Sequence, residues 1–187
     1  MKKLSLCFLL MSFPSVSFAA PNSEIAELAL HRVERLIALK KIPVSYAANF
    51  ESLELAPPAT ENGLFTSTIS QFAAENGDVS SVQISSDSTG RAVNFILSLK
   101  AVATSAPTWP SKDSLEIAEL SMHHIEHLSA QDPAVEIYIS SFHSLELMQH
   151  ESEGVKLAHI TISAFSTEAK LTLLLNADGT LKSYEIN

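Results

Sequence analysis

The pattern of polar and apolar positions predicts two amphipathic helices. From residue 25 to 37 apolar residues recur at the spacing of one helical face, and the same spacing returns over 117–128. Asp113 is the expected N-cap of the second helix, and Glu116, three residues later, completes a capping box. Each helix therefore has one apolar face that must pack against another layer of structure.

After each helix the apolar period falls to two, which predicts strands. The alternation begins at Tyr46 in the first half and at Tyr138 in the second. The apolar phase then shifts by one residue, and a β-bulge or a bend near Ser52 and near Ser144 would account for the shift. Three more strands are expected in each half, separated by turns; they lie at 63–72, 79–85 and 91–99, and at 154–165, 169–176 and 180–186.

The two halves form an internal duplication. IAELALHRVERL (25–36) and IAELSMHHIEHL (117–128) share seven of twelve residues at an offset of 92. The same offset aligns FESLEL (50–55) with FHSLEL (142–147). Matches in the same order at one offset are typical of a tandem repeat. We predict an α+β fold made of two α-β-β-β-β modules, each a four-stranded antiparallel meander with one helix across a face.

The repeat and its flanks predict the organisation of the chain. A basic start, a short apolar stretch and the small residues around 17–19 are typical of a secretory signal peptide, expected to end at Ala19. A segment rich in serine, threonine and proline separates the repeats, and its Trp109 is expected to dock between them. The expected divisions are a signal peptide at 1–19, a first module at 20–101, a linker at 102–113 and a second module at 114–187.

Composition restricts the chemistry and the partners. Cys7, the only cysteine, lies in the predicted signal peptide, so the mature chain is expected to use neither disulfides nor thiolates. Loss of Lys2 and Lys3 with that peptide would leave ten basic residues against 21 acidic ones. Nucleic acids and anionic membrane surfaces are therefore disfavoured as partners. No later stretch is long and apolar enough for a membrane span, so periplasmic localisation is expected, with extracellular release also open.

The repeated order of one helix and four strands, with a glycine turn before the last strand, resembles small PepSY-like, cystatin-like and β-lactamase-inhibitor-like modules. The last of these include tandem exported inhibitors, so the resemblance implies a protein-binding function. It covers both modules at the level of element order. No residue motif of these families can be carried over to this chain, and the absence of cysteine after residue 7 departs from the disulfide-bearing inhibitors.

The stretch with the most candidate chemistry is the second helix, which carries His123, His124 and His127. His123 and His127 are spaced i,i+4, which can bring two imidazoles together on one face, with Glu119 as the nearest further ligand. The arrangement is not HExxH, and the wheel places His123 and His127 away from the apolar face. A helix surface by itself offers no enclosed pocket for an ion.

The duplication gives an internal comparison for these histidines. His31 corresponds to His123, but Arg32 and Arg35 stand where the second helix has His124 and His127. Arginine cannot act as a neutral metal ligand. We therefore predict a solvated helix face, no metal site and no cofactor, while weak metal binding by this cluster stays open.

The sequence contains none of the local catalytic motifs, such as GxSxG, HExxH or a glycine-rich phosphate loop. The favoured function is an exported, non-enzymatic protein- or peptide-binding module of the inhibitor, immunity or assembly type. Its binding residues are not identifiable from the sequence. Two alternatives stay open: a periplasmic carrier of a small molecule or metal, and a periplasmic hydrolase whose site is assembled from distant residues.

Overall fold

The computed structural model describes residues 19–58, 62–100, 103, 107–109, 111–152 and 154–187. The predicted signal peptide lies outside the described residues, apart from Ala19, and so does part of the predicted linker. Within the described ranges, no helix is both long enough and apolar enough to cross a membrane.

Each half of the chain contains a long helix, a short helical segment and four strands. The first half comprises α1 (Asn22–Ala38), α2 (Ser45–Ala48), β1 (Phe50–Ala56), β2 (Phe65–Gln71), β3 (Ser81–Ser86) and β4 (Ala92–Ser98). The second comprises α3 (Ser114–Ser129), a 3₁₀ turn (Pro133–Val135), α4 (Ile137–Ser140), β5 (Phe142–Ser152), β6 (Val155–Ala164), β7 (Leu171–Asn176) and β8 (Leu181–Ile186). The predicted α+β fold of two helix-plus-meander repeats is confirmed.

The eight strands form a single antiparallel sheet in the order β4-β3-β2-β1-β5-β6-β7-β8. The halves join side by side where β1 pairs with β5, and Leu53 lies opposite Leu145. These two residues are equivalents at the offset of 92. A pseudo-twofold axis therefore passes through the junction, and each half repeats the surroundings of the other.

Helices α1 and α3 pack on the same face of the sheet and contact each other. The predicted core residues of both repeats are at most 1% exposed; they are Tyr46, Phe50, Leu53, Tyr138, Phe142 and Leu145. The helical faces predicted to be apolar are also buried in this layer. One core thus spans both halves, and the opposite face of the sheet is left uncovered by these helices.

One element predicted from alternation is wrong. Tyr46 and Tyr138 lie in the short helices α2 and α4, and the strands begin only at Phe50 and Phe142. A helical turn places the Tyr46 hydroxyl inside the core, where it donates a hydrogen bond of 2.7 Å to the Ile69 carbonyl. Tyr46 and Phe50 are both buried and lie four positions apart, an even spacing that a strand with one buried face would also show.

Other local predictions are confirmed. Asp113 and Glu116 form a reciprocal capping box, with both hydrogen bonds at 2.9 Å. The ladder register shifts before Ser52 in β1 and before Ser144 in β5, where a bulge or a bend was predicted.

Trp109 is half-buried against the shared core, as its expected docking requires. Its indole N–H donates to the Ser114 hydroxyl, which in turn donates to the Ala48 carbonyl of the first half, each at 3.0 Å. Hydrogen bonds therefore connect Trp109 to α3, and α3 to α2.

Candidate functional site

Where α1 meets α3, polar side chains face each other across the seam between the two helices. Because each helix buries its apolar face on the sheet, the flanks of the two helices are left to meet above it. The residues concerned are equivalents at the offset of 92 and form what we name the seam cluster: Glu27, His31 and Glu34 from α1, and Glu119, His123 and Glu126 from α3.

The contacts of the seam cluster between the two helices follow the pseudo-twofold symmetry, and those within each helix do not. His123 Nδ1 lies 3.5 Å from Glu27 Oε1, and His31 Nε2 lies 4.0 Å from Glu119 Oε1. Within each helix, His31 Nε2 is 3.9 Å from Glu27 Oε1 and His123 Nδ1 is 3.9 Å from Glu126 Oε2. These separations exceed the usual 2.7–3.2 Å of a hydrogen bond. The imidazoles and carboxylates are therefore close enough to interact electrostatically without being directly bonded.

Glu119 is the most perturbed acid of the cluster. Burial, reinforced by the neighbouring Glu34 carboxylate and by Asp113 and Glu116, raises the pKa of Glu119 to about 8. Its side chain is 14% exposed, and its Oε1 has no hydrogen-bond partner among the described residues. Glu119 is therefore largely protonated at neutral pH, and its carboxyl O–H can donate a hydrogen bond to the Glu34 carboxylate.

We expect Glu119→Gln to remove part of the pH dependence of stability in metal-free protein. The folded state raises the pKa of Glu119 from 4.5 to about 8, so its proton stabilises the fold at low pH and this stability is lost as pH rises between those values. The loss in unfolding free energy from pH 5 to pH 9 should shrink by roughly 1–2 kcal/mol, allowing for solvent screening. Thermal unfolding at both pH values measures it, with the exposed Glu151→Gln as control. If the unfolding free energy fell by the same amount between pH 5 and pH 9 in Glu119→Gln and in Glu151→Gln, the expectation would be contradicted.

The histidine pair considered from the sequence is not brought together as one site. His127 Nε2 lies 2.9 Å from the Gln131 amide nitrogen, on the exposed side of the helix. His124 Nε2 lies 2.8 Å from the Gly179 carbonyl, at the turn before β8. Of the three histidines on α3, only His123 belongs to the seam cluster. Its nearest carboxylate is Glu27 of the other helix rather than Glu119. That this region holds no metal stays a prediction.

Sequence reasoning missed Glu27, although the sequence contains a signal for it. Seven positions are identical between IAELALHRVERL and IAELSMHHIEHL. Three of these are polar, and they are the positions of Glu27, His31 and Glu34. All three lie in the seam cluster, whereas the polar positions outside it, Arg32 and Arg35, differ between the repeats.

The remaining histidines lie on β5 and β6. The His143 ring packs on Phe165 with centroids 4.4 Å apart, and its Nε2 is 3.6 Å from Glu54 Oε1. His159 lies in a shallow groove of the uncovered sheet face, beside His150 and Met148. His159 also lines an adjoining groove that includes Glu185.

The sheet face opposite the helices is polar and carries the carboxylates of Glu54, Glu146 and Glu185. Its side chains alternate along the strands with buried ones and include Thr66, Thr68, Ser70, Gln83, Thr161 and Thr172. Hydroxyl and amide groups of this kind can donate and accept hydrogen bonds to a bound molecule.

The two edge strands of the sheet differ in charge. In β4 the exposed positions include Val93 and Ile96, which are 60% and 58% exposed. Aligning the turn glycines Gly90 and Gly179 places Lys182 and Glu185 of β8 at these two positions. The edge of the second half thus carries the charges that usually protect edge strands, and the edge of the first half does not.

Comparison with known proteins does not assign the chain to a family. No family model matches it, and no curated protein matches it. Among solved structures, the Bacillus megaterium YpeB C-terminal domain is similar over 91% of this chain and 69% of that chain, with 14% sequence identity and a TM-score of 0.28. A likeness of this size carries no conclusion about function.

Proposed function

We propose that this chain is an exported, non-enzymatic protein-binding module, and that it holds an extended peptide segment of its partner against strand β4. The observation that carries the proposal is the contrast between the two sheet edges. β4 pairs with β3 on one side, and no described strand pairs with its other side. Its free backbone groups and its exposed Val93 and Ile96 are what an added strand requires.

A different protein fits this edge better than a second copy of the chain. The formal charge of the chain is −9, so two copies repel each other at close range. An apolar peptide that is neutral or basic meets no such repulsion. Main-chain hydrogen bonds to β4 would provide affinity, and contacts with the side chains of Val93 and Ile96 would provide selectivity.

Export is part of the proposal and rests on the signal-peptide pattern of residues 1–19. Two modules, at 20–101 and 114–187 with a linker at 102–113, would then form the exported protein. A carrier function is less well supported, because the space between helices and sheet is filled by the shared core. The grooves on the described surface are open rather than enclosed.

The test introduces into β4 the charged residues that lie at the equivalent positions of β8. The double variant Val93→Lys with Ile96→Glu gives β4 the two charges that stand at the equivalent positions of β8. We expect a partner captured from periplasmic extract by the unmodified chain to bind the double variant at least about tenfold more weakly. Both side chains are mostly exposed, so the unfolding free energy should change by less than about 1 kcal/mol.

The matched control is Lys182→Ala with Glu185→Ala on β8, which should leave partner affinity unchanged. Binding that survives in the β4 variant, or that is lost equally in the β8 variant, would refute the proposed edge. A dimer of the unmodified chain that the β4 variant cannot form would also contradict it, because β4 would then pair with a second copy. Light scattering of the purified chain distinguishes this outcome.

A further inference from the structure

Three side chains of the seam cluster have the geometry of a metal site. Glu27, His123 and Glu126 each offer one ligand atom, and these atoms all lie within 4.8 Å of one another. Ligands of a tetrahedral zinc ion, bound at about 2.0–2.1 Å, are separated by about 3.4 Å. His123 Nδ1 lies 3.5 Å from Glu27 Oε1 and 3.9 Å from Glu126 Oε2. Small side-chain rotations would therefore close the group around an ion.

The duplication supports a role for these residues beyond solvation. Exposed helix positions that only contact water accept many residue types. Here the polar flank residues that meet at the seam are the same in both repeats, as are Glu24 and Glu116 one turn earlier, whereas Arg32 and Arg35 are replaced by histidines. Both helices thus carry Glu-x₃-His-x₂-Glu, although Arg32 and Arg35 within the same stretch of α1 differ from their equivalents in α3.

Electrostatics at the seam favours a cation. Four carboxyl groups meet here, and within the described ranges no lysine or arginine lies within the 4.0 Å of an ion pair with any of them. A divalent ion between Glu27 and Glu126 would neutralise both charges. One imidazole with two carboxylates is a ligand set that suits zinc, iron or manganese, whereas calcium and magnesium prefer oxygen alone.

We propose that Glu27, His123 and Glu126 bind one divalent transition-metal ion of the zinc class, and that this ion links α1 to α3. His123 and Glu126 are 55% and 49% exposed, so the ion keeps a side open to water. His31 lies 3.9 Å from Glu27 and is the second imidazole within reach. The ion would act as a cross-link between the two halves, at a place separate from strand β4.

The experiment uses the purified chain without a histidine tag, treated with chelator and titrated with zinc. Isothermal titration calorimetry should give one ion per chain with a Kd of about 10 µM or tighter. At saturating zinc the melting temperature should rise by about 5 °C, because the ion binds the native state and not the unfolded chain. Magnesium and calcium at the same concentration should leave it unchanged.

Substitutions identify the ligands. Glu27→Gln and His123→Gln should each weaken zinc binding at least about tenfold, while His127→Gln, which removes an imidazole one turn away on the same helix, should not. Glu126→Gln provides a further ligand variant with little effect on packing, because its side chain is half exposed. Circular dichroism of the metal-free variants confirms that they fold.

Three results would overturn the proposal: no zinc binding at about 100 µM, full binding by Glu27→Gln and His123→Gln, or an equal loss in His127→Gln. Any of them would leave the seam as the solvated helix face predicted from the sequence.

Discussion

Phe142→Ala is expected to lower the free energy of unfolding by about 3–5 kcal/mol, the usual range for removal of a buried aromatic ring. Phe142 begins β5 next to the central junction, and its side chain is fully buried in the shared core. The core is continuous across both halves, so a cavity here weakens packing around both helices. Urea denaturation followed by circular dichroism measures the change.

The control for this prediction is Phe165→Ala. Phe165 follows β6, is 45% exposed and packs on His143. Its removal should cost less than about 1 kcal/mol. Equal losses of unfolding free energy in the two variants would contradict the prediction that the buried Phe142 contributes more to stability than the partly exposed Phe165.

Leu53→Ala and Leu145→Ala are expected to cost about 2–5 kcal/mol each. The two side chains are fully buried and lie opposite each other where β1 pairs with β5. Because they are equivalents around the pseudo-twofold axis, the two costs should be similar. The double variant should differ from the sum by at least about 0.5 kcal/mol, since neighbouring residues share one cavity.

Met148→Ala is the matched control on the same strand as Leu145. Met148 lies on the uncovered face and is 53% exposed, so its loss should change stability by less than about 1 kcal/mol. Additive effects of Leu53→Ala and Leu145→Ala would indicate that the two halves do not share a core at this junction. Urea denaturation of the two single variants and the double variant decides between these outcomes.

Most of the fold could be predicted from the sequence, because the relevant interactions are local. The capping box of Asp113 and Glu116 involves residues three apart, and the apolar face of each helix is set by the helical period. The bulges before Ser52 and Ser144 were visible as a change of phase. The start of β1 could not be predicted, because a helical turn buries Tyr46 as well as a strand would.

The candidate site was predicted only in part. His123 was recognised as a possible ligand, but the carboxylate nearest to it belongs to Glu27, 96 positions earlier in the chain. A helical wheel describes one helix and not its neighbour. His123 lies away from the apolar face on the wheel, and it nevertheless faces α1.

The sequence by itself determined that the protein is a repeat of one helix and four strands with a buried apolar face in each half. Periodicity and capping depend on residues a few positions apart, so they can be seen along the chain. The tertiary structure alone decided that β1 pairs with β5 and that α1 lies beside α3. Two similar strand patterns are compatible with several pairings, and the observed pairing buries Leu53 beside Leu145. The seam cluster is a consequence of that pairing.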